Sequence, residues 1–319
     1  MQYEVGNTSS RSYFIAVCVA LLAIVLILLV SPAQAQETGA GDAAHFLRNG
    51  VGARALSMGG AFVAVASDAT ASVWNPAGLT MQYGLHLGAS YENQFGGLVT
   101  SQFLGGTYVD DTWGIGASWF NSDLYSAYFL SAAIDVGVLS LGASGKLYSF
   151  SYGSQSANGL GADVGALFDI PFQNVDLRLG LVSRDIGWSV IHWHGVGNSE
   201  EDRAAWVTNV GAAVTGKMDF GSLMGTADLE VAFRRPPNPD GTDYLANATE
   251  VILDLGVEAA IGDFALRAGL ADIGLGGAGD LQIHPTLGLG ATVMGIEIDA
   301  AWISNLLGAT YLLSVEFVF

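Results

Sequence analysis

The sequence predicts an all-β fold: an antiparallel transmembrane β-barrel of about 14 strands with an N-terminal hatch, or plug, segment. Three observations predict it. The chain is 51% hydrophobic with a mean hydropathy of +0.42, yet after Val30 no run of about 18 apolar residues offers a membrane helix. Apolar residues recur instead at every second position, punctuated by 43 glycines. A strand needs that period when one face meets lipid and the other a polar lumen. The connections between these segments also alternate between short and long.

The opening segment sets the compartment. Arg11 precedes an apolar run from Tyr13 to Val30, followed by Ser31-Pro32-Ala33-Gln34-Ala35. The small residues Ala33 and Ala35 and the helix-breaking Pro32 read as a signal peptide, residues 1–35, cleaved after Ala35. The competing reading is an uncleaved membrane anchor. The single cysteine, Cys18, lies inside this segment, so the mature chain has neither a disulfide framework nor a thiolate metal site. Removing Glu4 and Arg11 with the segment leaves 29 acidic and 10 basic side chains and a net charge still of −19. Such a charge excludes a nucleic-acid partner, which requires positive charge against phosphate, and is a poor surface for anionic headgroups.

The barrel is expected over residues 84–319. Its strands fall near 84–91, 100–109, 112–120, 127–134, 136–148, 158–169, 174–184, 205–215, 223–233, 250–261, 263–271, 281–293, 295–302 and 309–319. Alternation is clearest late in the chain. Tyr311, Leu313, Val315, Phe317 and Phe319 share one face of the last strand, and Ser314 and Glu316 the other. Ile296, Ile298, Ala300 and Trp302 oppose Glu297 and Asp299 in the same way. Tight connections, such as Asp110-Asp111, Gly262 and Met294-Gly295, alternate with longer ones at 92–99, 121–126, 149–157, 185–204, 234–249, 272–280 and 303–308. Short turns on one side and long loops on the other match a bacterial outer-membrane barrel with its long loops outside the cell. An even strand number puts both chain ends on the short-turn side, in the periplasm. The terminal Phe319 on an alternating strand resembles the signal by which the barrel assembly machinery recognises its clients. Trp113, Trp119, Trp206, Trp302, Tyr91, Tyr108 and Tyr311 fall near strand ends, where an interfacial girdle against outer-membrane lipid is expected.

Residues 36–83 break the pattern and form the expected hatch. Small residues dominate the block from Gly50 to Ala71, which contains Gly52, Arg54, Met58, Gly59, Gly60 and Asp68, and it leads into Trp74-Asn75-Pro76-Ala77-Gly78-Leu79. Small side chains allow close backbone packing in a confined space, and Asn75-Pro76 favours a turn. A globular periplasmic cap is the alternative. The Gly-Ala-Arg-Ala-Leu-Ser-Met-Gly-Gly-Ala-Phe-Val-Ala block, with Asp68 and the Trp74–Leu79 block, resembles the opening of the PorV/PorQ family within the FadL-type superfamily of outer-membrane long-chain fatty acid transporters. The resemblance implies a fourteen-stranded barrel whose lumen is occluded by this hatch. It implies one of two jobs, which the shared motif does not separate. FadL-type members admit small hydrophobic compounds; PorV-type members act as a scaffold in protein secretion and hold cargo by its C-terminal domain.

Candidate chemistry is sparse. His192-Trp193-His194 places two imidazoles on one side of an extended segment, with Glu200, Glu201 and Asp202 following. A metal site needs three or four convergent ligands, so a polar external loop is the better reading. Asn238 to Asp243 lacks the spaced oxygens of a calcium loop, and Ser189 near His192 has no third partner for nucleophilic catalysis. Neither catalysis nor a cofactor or metal is therefore expected. Trp188 and Trp193, in the longest external loop, are the aromatics freest to meet a hydrophobic substrate or a cargo protein.

The lumen-facing register carries nine carboxylates (Asp163, Asp176, Asp228, Glu230, Asp254, Glu258, Glu297, Asp299, Glu316) against Lys146, Arg178 and Arg267. The hatch brings Arg48 and Arg54. Arginine's planar fork engages carboxylates in pairs and stays charged. Arg54 is thus expected inside the lumen, paired with one of the late-strand carboxylates. A carboxylate-rich wall disfavours anionic lipids as substrates and is less hostile to neutral hydrocarbons.

Overall fold

The computed structural model describes residues 50–319 except 124, 173–174, 195–200, 220, 235–247 and 276–282. The expected signal peptide, Arg48 and the rest of 36–49, Glu200 and the Asn238–Asp243 stretch lie outside the described residues. Among the described residues no helix is long and apolar enough to cross a membrane.

Among the described residues sixteen strands follow the hatch: β1 (Gly84–Gln94), β2 (Val99–Val109), β3 (Trp113–Ser122), β4 (Tyr125–Asp135), β5 (Leu139–Tyr152), β6 (Gln155–Pro171), β7 (Val175–Arg184), β8 (Val190–His194), β9 (Glu201–Arg203), β10 (Trp206–Met218), β11 (Gly221–Arg234), β12 (Ala248–Ile261), β13 (Phe264–Gly274), β14 (His284–Val293), β15 (Ile296–Ile303) and β16 (Thr310–Val318). All but β8 and β9 form a closed antiparallel barrel of 14 strands, as the sequence predicts. Closure runs through β1 and β16, in register from His86↔Val318 to Asn93↔Tyr311. A closed ring leaves no unpaired strand edge and satisfies the backbone within the sheet, which is what a strand-built protein needs in lipid. The tight turns hold the register. At Met294-Gly295 both residues have positive φ, 53° and 79°, matching the two-residue hairpin turn whose twist suits its strands.

Burial follows the alternation. On β16 the side chains of Tyr311, Leu313 and Phe317 are exposed on the outer face, whereas Leu312 and Glu316 are buried on the inner one. A period of two in the sequence has become two faces of one sheet.

Three details depart from the expectation. The connection expected to be long at 121–126 is short, because β3 runs to Ser122 and β4 begins at Tyr125, their ladder reaching Asn121↔Ser126. The connection expected at 149–157 is no long loop, because β5 and β6 stay paired as far as Tyr152↔Gln155. Their ladder simply continues past the length a membrane strand requires. The expected loop 185–204 contains a hairpin, β8 with β9, and β8 pairs with β6 from Ser156↔His194 to Gly159↔Ile191. That half of β6 outruns β7, so its free backbone groups take β8 as partner.

Candidate functional site

The hatch occupies the lumen. Gly52, with φ 89°, turns the chain into α1 (Ala53–Ser57); α2 (Ala71–Trp74) and a 3-10 turn (Pro76–Thr80) follow. Asn75 caps the start of the 3-10 turn, its Oδ1 accepting from Ala77 N at 3.1 Å. Its Nδ2 donates to Val63 O at 2.9 Å and to Ala166 O of β6 at 3.3 Å, tying two hatch segments to the wall. Trp74 is buried, donates to Val51 O at 2.9 Å and meets Phe62 edge-on at 5.8 Å. Met58 and Phe62 are fully buried. Burial of side chains of this size contributes roughly 1.5–3 kcal/mol each.

The wall makes room with glycine. An added Cβ would lie 2.3 Å from Ala77 N at Gly142, 2.3 Å from Gly59 N at Gly269, and 2.0 Å from Asn75 Oδ1 at Gly165. It would lie 2.8 Å from Leu79 O at Gly114 and 2.7 Å from Val63 O at Gly180. The hatch reciprocates at Gly59, where a Cβ would sit 2.7 Å from Leu270 O, and its φ of 69° already favours glycine. Gly60 also has positive φ, 81°. Gly78 abuts Ala66 O within the hatch itself. Many glycines that punctuate the sequence are therefore points of contact between strand and hatch, not turns.

Ion pairs and charge-assisted hydrogen bonds fasten the two parts. Arg54 donates from Nε and Nη2 to the Glu258 carboxylate at 3.1 and 3.3 Å, and from Nη1 to Ser67 Oγ at 3.2 Å. Burial would lower the pKa of Arg54, but the attraction of Glu258 and Asp68 and the Glu258 hydrogen bond outweigh it and raise it, so the guanidinium stays charged. Arg267 donates to the same Glu258 at 2.6 Å and to Asp299 at 2.6 Å. Asp228 accepts from the hatch amide of Val63 at 2.7 Å. Glu316 accepts from Ala69 N at 3.2 Å and meets His86 Nδ1 at 2.9 Å. Asp68 instead folds onto its own segment, accepting from the Thr70 amide and hydroxyl.

The remaining expected wall carboxylates have other partners. Glu230 takes Arg184 at 3.0 Å and Asn209 at 3.1 Å. Asp254 accepts from Asp272 N at 2.8 Å, where the β12–β13 register shifts at a bulge. Glu297, two residues before Asp299 on the lumen register of β15, is half-buried. Asp163 and Asp185 share Lys146 at 2.7 and 2.8 Å, Arg178 pairs with Asp169 at 2.5 Å, and Asp176 meets Lys217 at 3.5 Å.

Toward the long-loop end the lumen changes character. On β3 the hatch-facing Gly114 and Gly116 give way to Phe120, and on β5 Gly142 gives way to Tyr148 and Phe150. Phe120 stacks on Tyr125 at 6.2 Å, Tyr125 meets Phe150 at 6.3 Å, and Phe150 meets Trp193 of β8 at 5.9 Å. The sequence reading misses this aromatic wall, although the lumen register of β3 (Gly114, Gly116, Ser118, Phe120) shows small residues giving way to an aromatic.

The two external-loop tryptophans are not free. Trp193 packs on this aromatic wall. Trp188 donates to Phe233 O at 3.0 Å and meets Trp206 edge-on at 5.3 Å. Each indole gains more by covering apolar surface than by standing in water. His192 is exposed, 3.5 Å from Glu201. No group of three or more His, Cys, Asp and Glu among the described residues could hold a metal ion.

Fold and site together define a class: a closed fourteen-stranded barrel of the outer-membrane type, filled by the segment preceding its first strand. The chain is similar to the toluene transporter TbuX of Ralstonia pickettii, at 12% identity and a TM-score of 0.56, over 86% of this chain and 100% of that one. A TodX monoaromatic hydrocarbon channel mutant is similar at 13% identity and a TM-score of 0.49, over 84% and 97%. At such identities the likeness concerns the fold, and the TbuX match carries it. No protein-family model and no curated protein matches the sequence, so nothing singles out the PorV/PorQ family within that fold.

Proposed function

We propose that this chain resides in the outer membrane of a Gram-negative bacterium and passively admits small, neutral hydrophobic compounds. The observation that carries this reading is the two-storey lumen, with an aromatic wall at the long-loop end standing over a hatch fastened by ion pairs. Aromatic side chains offer apolar area with defined geometry to an apolar guest. The hatch must then shift to let the guest pass. The lumen cations Arg54, Lys146, Arg178, Arg184 and Arg267 are each already ion-paired. A fatty acid carboxylate would have to displace one of these partners or enter without a counter-charge. That favours neutral guests. The substrate of the similar transporter TbuX, toluene, is of this type.

A scaffold for secreted cargo, the other role implied by the hatch block, would use accessible loop surface, and the two tryptophans expected to supply it are engaged with the barrel. Uptake by intact Gram-negative cells provides the test, because a phospholipid vesicle is no barrier to a neutral apolar solute. Faster uptake of labelled toluene by cells expressing the chain than by cells without it, without a matching gain for a long-chain fatty acid, supports the proposal. Equal uptake with and without the protein contradicts it.

A further inference from the structure

The rim of the barrel is uneven. β5 and β6 run to 14 and 17 residues, while β15 and β16 have 8 and 9. Eight residues span roughly 26 Å along a strand and roughly 20 Å of membrane height at a tilt of about 40°, short of the roughly 25 Å apolar band of such barrels. β15 therefore cannot cross the band by itself.

What stands at its long-loop end is apolar. In the 304–309 turn Leu306 and Leu307 are 80% and 72% exposed, and in the adjoining 95–98 turn Leu98 is 71% exposed. The two turns are tied together, with Gly96 N donating to Ala309 O at 2.9 Å and Phe95 N to Thr310 Oγ1 at 3.3 Å. Gly97 N and Leu98 N donate to Gln94 O, and Gly308 N to Asn305 O. These backbone groups are spared the cost of losing water as bare donors, which is the main barrier to placing a turn in an apolar layer. Just beneath, the outward faces of β1 and β16 carry the exposed pair Tyr91↔Leu313, so the lipid-facing surface continues onto the turn tips.

We propose that this low sector is a membrane-inserted lip, with Leu98, Leu306 and Leu307 lodged at the boundary between headgroups and acyl chains of the outer leaflet. The occupant is lipid: the leucines continue a lipid-facing belt and make up the height that β15 lacks. The tall β5–β6 sector, with exposed Ser154 at its turn, stands in water. The inference rests on the barrel spanning a membrane, as proposed above.

The experiment uses the chain with its single cysteine replaced, Cys18→Ser, and one new cysteine in turn: Leu306→Cys, Ser154→Cys or Leu313→Cys. Each is labelled with an environment-sensitive NBD fluorophore in phosphatidylcholine vesicles. Quenching by iodide in the water is compared with quenching by doxyl-labelled lipid. The lip predicts that the labels at Leu306 and Leu313 are quenched by doxyl lipid and the label at Ser154 by iodide. A Leu306 label quenched by iodide like that at Ser154, or by neither agent, overturns the lip while leaving the barrel reading intact. A Leu313 label untouched by doxyl lipid overturns the membrane reading itself.

Discussion

Arg54 of the hatch and Glu258 of β12 meet through two guanidinium nitrogens, at 3.1 and 3.3 Å, and Arg267 of β13 shares the same carboxylate. Glu258 thus stands between two cations, one on the hatch and one on the wall. The two partners are not equivalent. Removing Arg54 leaves Glu258 paired with Arg267, whereas removing Glu258 strands the Arg54 guanidinium with Ser67 as its remaining hydrogen-bond acceptor. Arg54→Ala is expected to loosen the hatch by about 1–3 kcal/mol, in the range of hydrogen bonds to charged groups. Glu258→Ala should cost more, because a partly buried Arg54 then has no carboxylate in hydrogen-bond contact and keeps only Asp68 and Glu297 as more distant counter-charges. Denaturant titration and protease sensitivity of the hatch check the order, and a larger loss from Arg54→Ala would refute it.

The glycine cradle makes a second prediction within one strand. At Gly142 a methyl group would press on the hatch backbone at 2.3 Å, while at Gly145 nothing lies within 4 Å. Gly142→Ala should destabilise the protein by about 1–3 kcal/mol through overpacking. Gly145→Ala should be neutral or slightly stabilising, since it restricts the unfolded chain without a clash. Equal melting temperatures for the two variants would contradict the cradle.

Much of this was legible in the sequence, and the reasons are physical. Period-two alternation is a property of the strand itself, so strand number and parity followed from residues such as Glu297, Asp299 and Glu316 set against Ile298 and Phe317. The Arg54 pairing was legible because an excess of inward carboxylates needs a cation. Contacts that depend on how distant segments meet were hidden. Parity places Gly142 on the lumen register and Gly145 on the outer one, but nothing local shows that hatch backbone presses on Gly142. Arg184 and Asp185 sit where a strand becomes a loop, so their roles as partners of Glu230 and Lys146 required the fold. Likewise, Trp188 looks like a free loop residue until the wall it covers is known.

Asp185 supplies a third prediction. Its carboxylate accepts from Lys146 at 2.8 Å, Tyr148 at 2.6 Å and Ser189 at 2.7 Å, which pins the start of the external loop into the lumen. Asp185→Ala should cost about 3 kcal/mol by leaving Lys146 under-compensated and Tyr148 without this acceptor. Cleavage between 186 and 204 under limited proteolysis should rise. Unchanged cleavage would show that the loop is held by other contacts.

Topology offers a fourth. Epitope tags at Ser154 and Asp110 lie at opposite ends of the strands, in exposed turns that tolerate insertion. On intact cells an antibody should label the Ser154 tag and not the Asp110 tag. The reverse pattern would invert the barrel.

The central claim is that the hatch closes the lumen and must move for passage. Single-channel conductance in planar bilayers tests it most directly, comparing the intact chain with a variant lacking residues 36–81 whose barrel is verified by its strand-type circular dichroism. The account predicts a small or intermittent conductance for the intact chain and a large, steady one for the variant. Equal conductance for the two, with the barrel formed in both, would contradict it.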